Sequence, residues 1–276
     1  MSVILRSIYE CRNISFWKGD DMAGALNVVC AKWGHAYGAE YANRLFGGVR
    51  RNTERKLNFF CVTDDPTGLD PAITPITLEL FPFQEKLEQA QLAAPKKNGA
   101  YTKIAMFAPE LLSVAGPVLA FDLDVVITGS IDALADFAPG QVVMAPPFSN
   151  NSKRPTFGEG SVIKFEPKHH GFLFTDLAND TEAMVRDSHG SEQSYTSARA
   201  HARGLFSTFP DDWVVSFKRH CRPKRPFNAF RTPNKPASAK VICFHGRPNI
   251  DEAIDGFKSD FLHKTIPAPW ISQYWK

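Results

Sequence analysis

The chain has 276 residues, 43% hydrophobic, 22% charged and 12% aromatic, which excludes a disordered or low-complexity protein and supplies material for a sizeable core. A formal charge of +3, from 32 basic and 29 acidic residues, is too balanced to imply nucleic-acid binding and permits a mild preference for anionic substrates or membrane surfaces. Five cysteines at positions 11, 30, 61, 221 and 243 form no C-x-x-C pair, so no zinc or redox motif is expected and a reducing, cytoplasmic setting is favoured.

Residues 1–23 read as an N-terminal extension whose short apolar stretch is broken by Arg6, Glu10 and Arg12 and lacks a signal-peptide core. No run approaches transmembrane length, which leaves peripheral membrane contact open. The first strand is Leu26–Ala31, ended by Lys32, Trp33 and Gly34, and Tyr41, Leu45 and Val49 then recur with helical spacing up to Arg51. A second strand, Leu57–Val62, runs into the turn formers Thr63 to Gly68, and a weaker third strand is expected around Ile73–Leu80. Strand, helix and strand in short repetition indicate an α/β sheet with parallel crossovers.

Residues 82–100 are polar, with a joint at Pro95 to Gly99, and Tyr101–Leu112 reads as a helix with Ile104, Phe107 and Leu111 on one side. Gly116 and Pro117 deliver the chain into Val118–Ile127, the most informative run, which reads as one strand. At i and i+2 of a strand, Asp122 and Asp124 share one face, while Leu119, Phe121, Leu123 and Val125 face the core. Two carboxylates about 6–7 Å apart at a buried strand end repel each other and resist desolvation, so they call for a cation or a proton. A divalent metal satisfies both.

A turn at Gly129 and Ser130 and a short helix over 131–137 follow. Strands at Gln141–Ala145 and Ser161–Phe165 flank a loop, Pro146 to Gly160, rich in Pro, Gly, Ser and Asn. One helical run is expected over Phe172–Ser188, and Ser191 is the N-cap of another helix. The stretch 217–231 is basic and broken by proline, a solvated face by default that would also suit a phosphate-bearing acceptor. A last strand, Lys240–Phe244, leads into His245, Gly246, Arg247 and Pro248.

Ligands of open α/β sheets bind beyond the carboxyl ends of the strands, where Lys32, Trp33, Thr63, Asp64, Asp122, Asp124, His245 and Arg247 all fall. Two carboxylates and an imidazole are an oxygen and nitrogen set that suits Mn2+ or Mg2+ beside phosphates, with Lys103 and Arg247 completing the neutralisation.

Phe121 to Asp124, followed by Val125 to Leu134, resembles the D-x-D segment of GT-A glycosyltransferases, especially family 8, the glycogenin and lipopolysaccharide galactosyltransferase group. Tyr101 to Ile104, Gly160 to Ile163, and Glu192 with Gln193 resemble further segments of that family, and the likeness extends thinly from residue 26 to residue 248. The resemblance implies a GT-A-like (Rossmann-like) α/β fold with a mixed, mainly parallel central sheet flanked by helices. It would form one domain over 24–276, with a nucleotide-sugar half at 24–137 and an acceptor half at 138–276. It also implies metal-dependent, retaining transfer of a sugar from a nucleotide diphosphate sugar to a glycan, lipid-linked or other acceptor.

Carried over by position, Mn2+ or Mg2+ is held by Asp122, Asp124 and His245, the donor meets Lys32, Trp33, Thr63, Asp64, Lys103, Asp122 and Arg247, and Glu192 and Gln193 face the anomeric carbon. Glu192 replaces the family's aspartate, Glu159 stands where asparagine is usual, and the late histidine segment is compressed so that Cys243 aligns with the histidine and His245 follows two residues on. The rival expectations are a catalytically silent binding module and a nucleotidyltransferase. The glycine-rich basic loop of a nucleotidyltransferase is missing after the first strand.

Overall fold

In the computed structural model, which describes residues 24–77, 84–93, 101–108, 112, 114–148, 157–189, 191–258 and 264–276, the chain begins with β1 (Leu26–Lys32). β1 is buried along nearly its whole length, as its continuous apolar run requires of a strand covered on both faces. Helix α1 (Ala39–Arg51) buries Ala42, Leu45, Phe46 and Val49, an i, i+3, i+4, i+7 stripe, and carries Arg50 and Arg51 at its carbonyl end. β2 (Leu57–Thr63) pairs parallel with β1 in a register that sets Lys32 beside Thr63, and β3 (Ile73–Thr77) extends the parallel set. Helix α2 (Gln84–Ala93) and a 3₁₀ segment, Tyr101–Phe107, precede β4 (Val118–Phe121).

β5 (Val125–Ile127), α3 (Asp132–Asp136), β6 (Val142–Ala145) and β7 (Glu159–Phe165) come next. They are followed by α4 (Pro167–His170), α5 (Phe172–Asn179), α6 (Thr181–Asp187) and α7 (Glu192–Ala202). β8 (Phe206–Thr208), β9 (Val214–Ser216), a π-helical turn at Phe217–Cys221 and β10 (Val241–Cys243) lead to α8 (Ile250–Asp255) and the hairpin of β11 (Phe257–Lys258) and β12 (Lys264–Thr265).

Among the described residues a seven-stranded sheet runs β3-β2-β1-β4-β7-β6-β8, with β7 antiparallel to both neighbours and the other pairings parallel. A second sheet runs β5-β10-β9. One core cluster lies between the large sheet and α1, and another fills the opposite face against the 3₁₀ segment, α5 and α7. The mainly parallel α/β architecture expected from the sequence is present, and Cys30, Cys61, Cys221 and Cys243 are free and buried.

The expected single strand over 118–127 is instead two strands in different sheets. The Asp122 N–H donates to Ser161 on β7 (3.0 Å), and the Asp124 carbonyl accepts from Phe244 N just beyond β10 (2.9 Å), so the chain leaves one ladder and joins another within three residues. Asp122 and Asp124 therefore stand on a turn and not on one strand face. The apolar half of the expectation holds, with Leu119, Phe121, Leu123 and Val125 buried under α1.

The run 172–188 is two helices, because the Asp180 side chain accepts from Ala183 N (3.3 Å) and caps α6. The helix expected over 101–112 is a 3₁₀ segment to Phe107. Ile104 and Phe107 are buried there, and Leu111 lies outside the described residues. Leu119→Ala, at a fully buried position of β4, is expected to cost about 2–5 kcal/mol in urea unfolding. A loss under about 1 kcal/mol would show that the core collapses around the gap.

Candidate active site

The aspartate turn lies where the parallel strands end and the two sheets part. Lys103, near the middle of the 3₁₀ segment, puts its Nζ in direct contact with Asp122 Oδ1, and both side chains are largely withdrawn from solvent. Burial pulls the ammonium pKa down, but the carboxylates of Asp122, Glu192 and Asp124 outweigh it and hold the group above the usual lysine range. Three carboxylates thus face one ammonium. Asp124 carries the surplus: desolvation, then repulsion from Asp122, raise its carboxyl to about 7, against the lowering effects of Lys103 and of the Tyr37 hydroxyl, which donates to Oδ2 (3.1 Å).

Glu192 opens α7, whose N-cap Ser191 accepts from Ser194 N (3.4 Å) as expected. Its carboxylate is buried, accepts from Thr196 Oγ1 (3.0 Å), and is raised by desolvation and by Asp122 against the pull of Lys103. Gly160 on β7 makes room for it. A Cβ there would lie 3.2 Å from Glu192 Oε2 and 3.4 Å from Gln193 Cβ. Gln193 Oε1 accepts from Gly160 N (3.1 Å) and its amide bonds the Glu159 carboxylate, which braces α7 on β7.

The strand-end residues form two further groups. At the ends of β1 and β2, Lys32 Nζ and Thr63 Oγ1 both donate to Asp65 O (2.9 and 3.0 Å), Asp64 Oδ2 accepts from Gly34 N (3.0 Å), and Trp33 is exposed. This is a polar rim with an open indole beside it.

Beyond β9 and β10, the Ser216 hydroxyl accepts from Arg219 N (3.3 Å) and shares a hydrogen bond with His245 Nε2 (2.6 Å). Desolvation and the cations Lys218 and Arg219 keep the ring neutral, with a pKa near 4. His245 also stacks on Phe148, 5.7 Å between centroids at 8°. Lys218 Nζ lies 3.2 Å from where a Cβ on Gly246 (φ +67) would sit, close to the histidine backbone. This corner offers N–H donors and positive charge.

Three residues of the late segment, His245, Cys243 and Arg247, have partners in the fold. His245 is held by Ser216 and Phe148, and among the described residues no three His, Cys, Asp or Glu side chains gather as a metal site. Cys243, in β10 opposite Val125, is the nearer relation of the aspartates. Burial, then Asp124 and Asp122, push its thiol up, and Ser161 hydrogen-bonds it. Arg247 pairs with Glu252 (2.9 Å), the residue that completes the capping box of α8. The aspartate pair fits a divalent cation by charge, since one ammonium leaves Asp124 uncompensated. Mg2+ and Mn2+ need no more than one or two carboxylates when a phosphate ligand supplies the other oxygens. Sequence reasoning missed Tyr37, Gly160, Phe148 and Ser216 as parts of the site.

No family model matches the chain, and no curated protein matches it in sequence. Solved structures do. The galactosyltransferase LgtC, in complex with donor and acceptor sugar analogues, superposes with a TM-score of 0.56 at 11% identity, over 82% of this chain and 89% of that one. The glycosyltransferase GlyE of Streptococcus pneumoniae TIGR4 gives 0.52 at 12% identity over 82% of this chain and 56% of its own. The bifunctional WbbM gives 0.52 at 13% identity over 86% and 48%. The fold is that of the GT-A glycosyltransferases, with a mostly parallel central sheet flanked by helices.

Because folded Asp124 titrates near 7 against an ordinary 3.8, the native state binds an extra proton between those values, and stability falls as pH rises through that window. In metal-free buffer Asp124→Asn is expected to be more stable than wild type at pH 8, by on the order of 2–4 kcal/mol, and equal to it by pH 4. Parallel pH–stability curves for the two proteins would show that the carboxyl is not held uncompensated.

Proposed function

We propose that the chain is a glycosyltransferase that moves a sugar from a nucleotide diphosphate sugar to an acceptor, aided by Mn2+ or Mg2+ at Asp122 and Asp124. The observation that carries this is the pairing of an acidic centre, Asp122, Asp124 and Glu192, with a donor-rich cationic corner, Lys218, Arg219 and His245, at the carboxyl ends of the strands of a GT-A fold. A neutral sugar offers hydroxyl donors to carboxylates, and a diphosphate offers acceptors to cations and N–H groups. A nucleotide diphosphate sugar has both ends.

The divalent cation, when bound, supplies charge stabilisation for the departing diphosphate. Lys103 holds Asp122 in place through its ion pair, and Tyr37 orients Asp124. Glu192, buried beside Lys103 and fixed by Thr196, is the carboxylate offered to positive charge developing at the sugar carbon. Its desolvated setting makes that charge interaction stronger than it would be in water. The ammonium of Lys218, beside the His245 ring, receives the phosphate oxygens. The polar rim at Lys32, Thr63 and Asp64, with Trp33 open for stacking, suits the nucleoside.

Nucleotide diphosphate release from a panel of nucleotide diphosphate sugars tests the proposal. Turnover is expected with at least one donor, abolished by chelator and restored by Mn2+ or Mg2+. Glu192→Gln should lower kcat by roughly 100-fold or more while the affinity for nucleoside diphosphate stays within a few fold. Lys218→Ala should weaken nucleoside diphosphate binding about tenfold, the worth of one charge-assisted hydrogen bond, with a smaller effect on the nucleoside. Donor binding without release or transfer would overturn the enzyme and leave a catalytically silent nucleotide-sugar module.

A further inference from the structure

Between Trp213 and Ile250 the chain has nine lysines and arginines and no aspartate or glutamate. The whole protein is +3, so everything outside this segment sums to −6. Like charges are rarely held together in a folded protein unless a partner of opposite sign offsets their repulsion. Some of the nine have uses already described, Lys218 and Arg219 at the cationic corner and Arg247 on Glu252. Lys224, Arg225 and Arg231 do not. All three are exposed, and among the described residues none lies within ion-pair distance of an acid.

The same stretch holds two of the most exposed aromatic side chains among the described residues, Phe227 at 50% and Phe230 at 76%. Leaving a phenylalanine ring in water forfeits most of what its burial would contribute, so two rings three positions apart are a feature to explain. They stand on a built support. Phe227–Ala229 is a 3₁₀ turn, Phe230 N and Arg231 N both return to Phe227 O (3.0 and 2.9 Å), and buried Asn228 faces inward with its Nδ2 on Lys264 O of β12 (2.8 Å). Arg222 also holds Lys264 O (3.1 Å), and Trp270 holds Pro233 O (2.8 Å). The Arg231 guanidinium lies 4.8 Å from the Phe227 ring centroid and covers one face on which a nucleic-acid base would stack.

We propose that the turn carrying Phe227 and Phe230, ringed by Lys224, Arg225 and Arg231, docks the protein on an anionic lipid bilayer. The rings enter the interfacial zone and the cations meet lipid phosphates and carboxylates. Exposed aromatics amid basic residues are the composition of membrane-surface anchors, and each basic residue near an anionic leaflet adds to the attraction. The charge complementarity selects the bilayer over an uncharged surface. The shielded face of Phe227 weighs against single-stranded nucleic acid.

Co-sedimentation of the full chain with vesicles of phosphatidylcholine containing about a third phosphatidylglycerol tests this at low and high salt. Binding is expected to the anionic vesicles, to fall steeply as salt screens the cations, and to be absent with pure phosphatidylcholine. Phe227→Ser with Phe230→Ser should weaken partitioning about tenfold or more, and Arg225→Glu with Arg231→Glu by a similar factor. Neither pair should change donor turnover with a soluble acceptor or the thermal midpoint, which separates this result from failure of the catalytic proposal. A positive readout accompanies the losses: Phe230→Trp should shift its fluorescence to the blue on anionic vesicles and not on neutral ones. No sedimentation at low salt, wild-type binding by the double serine variant, an unshifted tryptophan, or binding to an oligonucleotide in place of vesicles would overturn it.

Discussion

Lys103 is one ammonium set among three carboxylates, and the rest of the site is arranged around that imbalance. At an effective dielectric of about 20, a pair of unit charges 4 Å apart is worth roughly 4 kcal/mol, so the contact with Asp122 is substantial and the charge on Asp124 is left without an equal partner. The surrounding groups reduce the cost without removing it. Tyr37 donates to Asp124, Thr196 donates to Glu192, and Gly160 has no side chain to displace the Glu192 carboxylate. A centre held this way is poised to accept positive charge, whether from a cation or from a reacting sugar carbon.

The acidic centre has an opposite number a short distance along the sheets. The turn after β9 and the segment after β10 bring Lys218, Arg219 and a neutral His245 to one corner, with Phe148 stacked against the imidazole. Glu159, hydrogen-bonded by Phe148 and Gln193, links that wall to the acidic side. Under the proposed function, charge of each sign at opposite ends of the site would orient a bipolar ligand before any specific contact forms. The basic segment then continues outward to Phe227 and Phe230. One chain stretch would serve the phosphate end of the ligand and the surface on which the protein sits.

The sheet, its parallel sense and the core side of the aspartate run were legible because apolar runs in β1, β2, β4 and β7 leave few alternatives. Asp122 and Asp124 stand out in the sequence as paired carboxylates beside an apolar run, whereas Lys103 and Glu192 enter through the family resemblance, and the fold sets all four together. Two departures from the sequence reading have physical sources. A turn between two short strands reads like one strand, since the apolar alternation continues through Leu123 while the backbone changes sheets. β8 and β9 are three residues each, too short to carry a period. The partners of Gln193, His245 and Arg247 are a third thing that a strand-end position does not announce.

Local pattern by itself determined which residues are apolar enough to build the sheet, where helix α1 ends and helix α7 begins, and which carboxylates would need compensation. These depend on neighbours within a few positions. Tertiary structure alone decided who provides the compensation. Tyr37 reaches Asp124 across 87 residues, Lys103 reaches Asp122 across 19, and Ser216 holds the His245 ring across 29. It also decided that Phe227 and Phe230 face water, because the inward place in their turn is taken by Asn228 bonded to β12. Those outcomes follow from packing between distant segments, which no short window of sequence encodes.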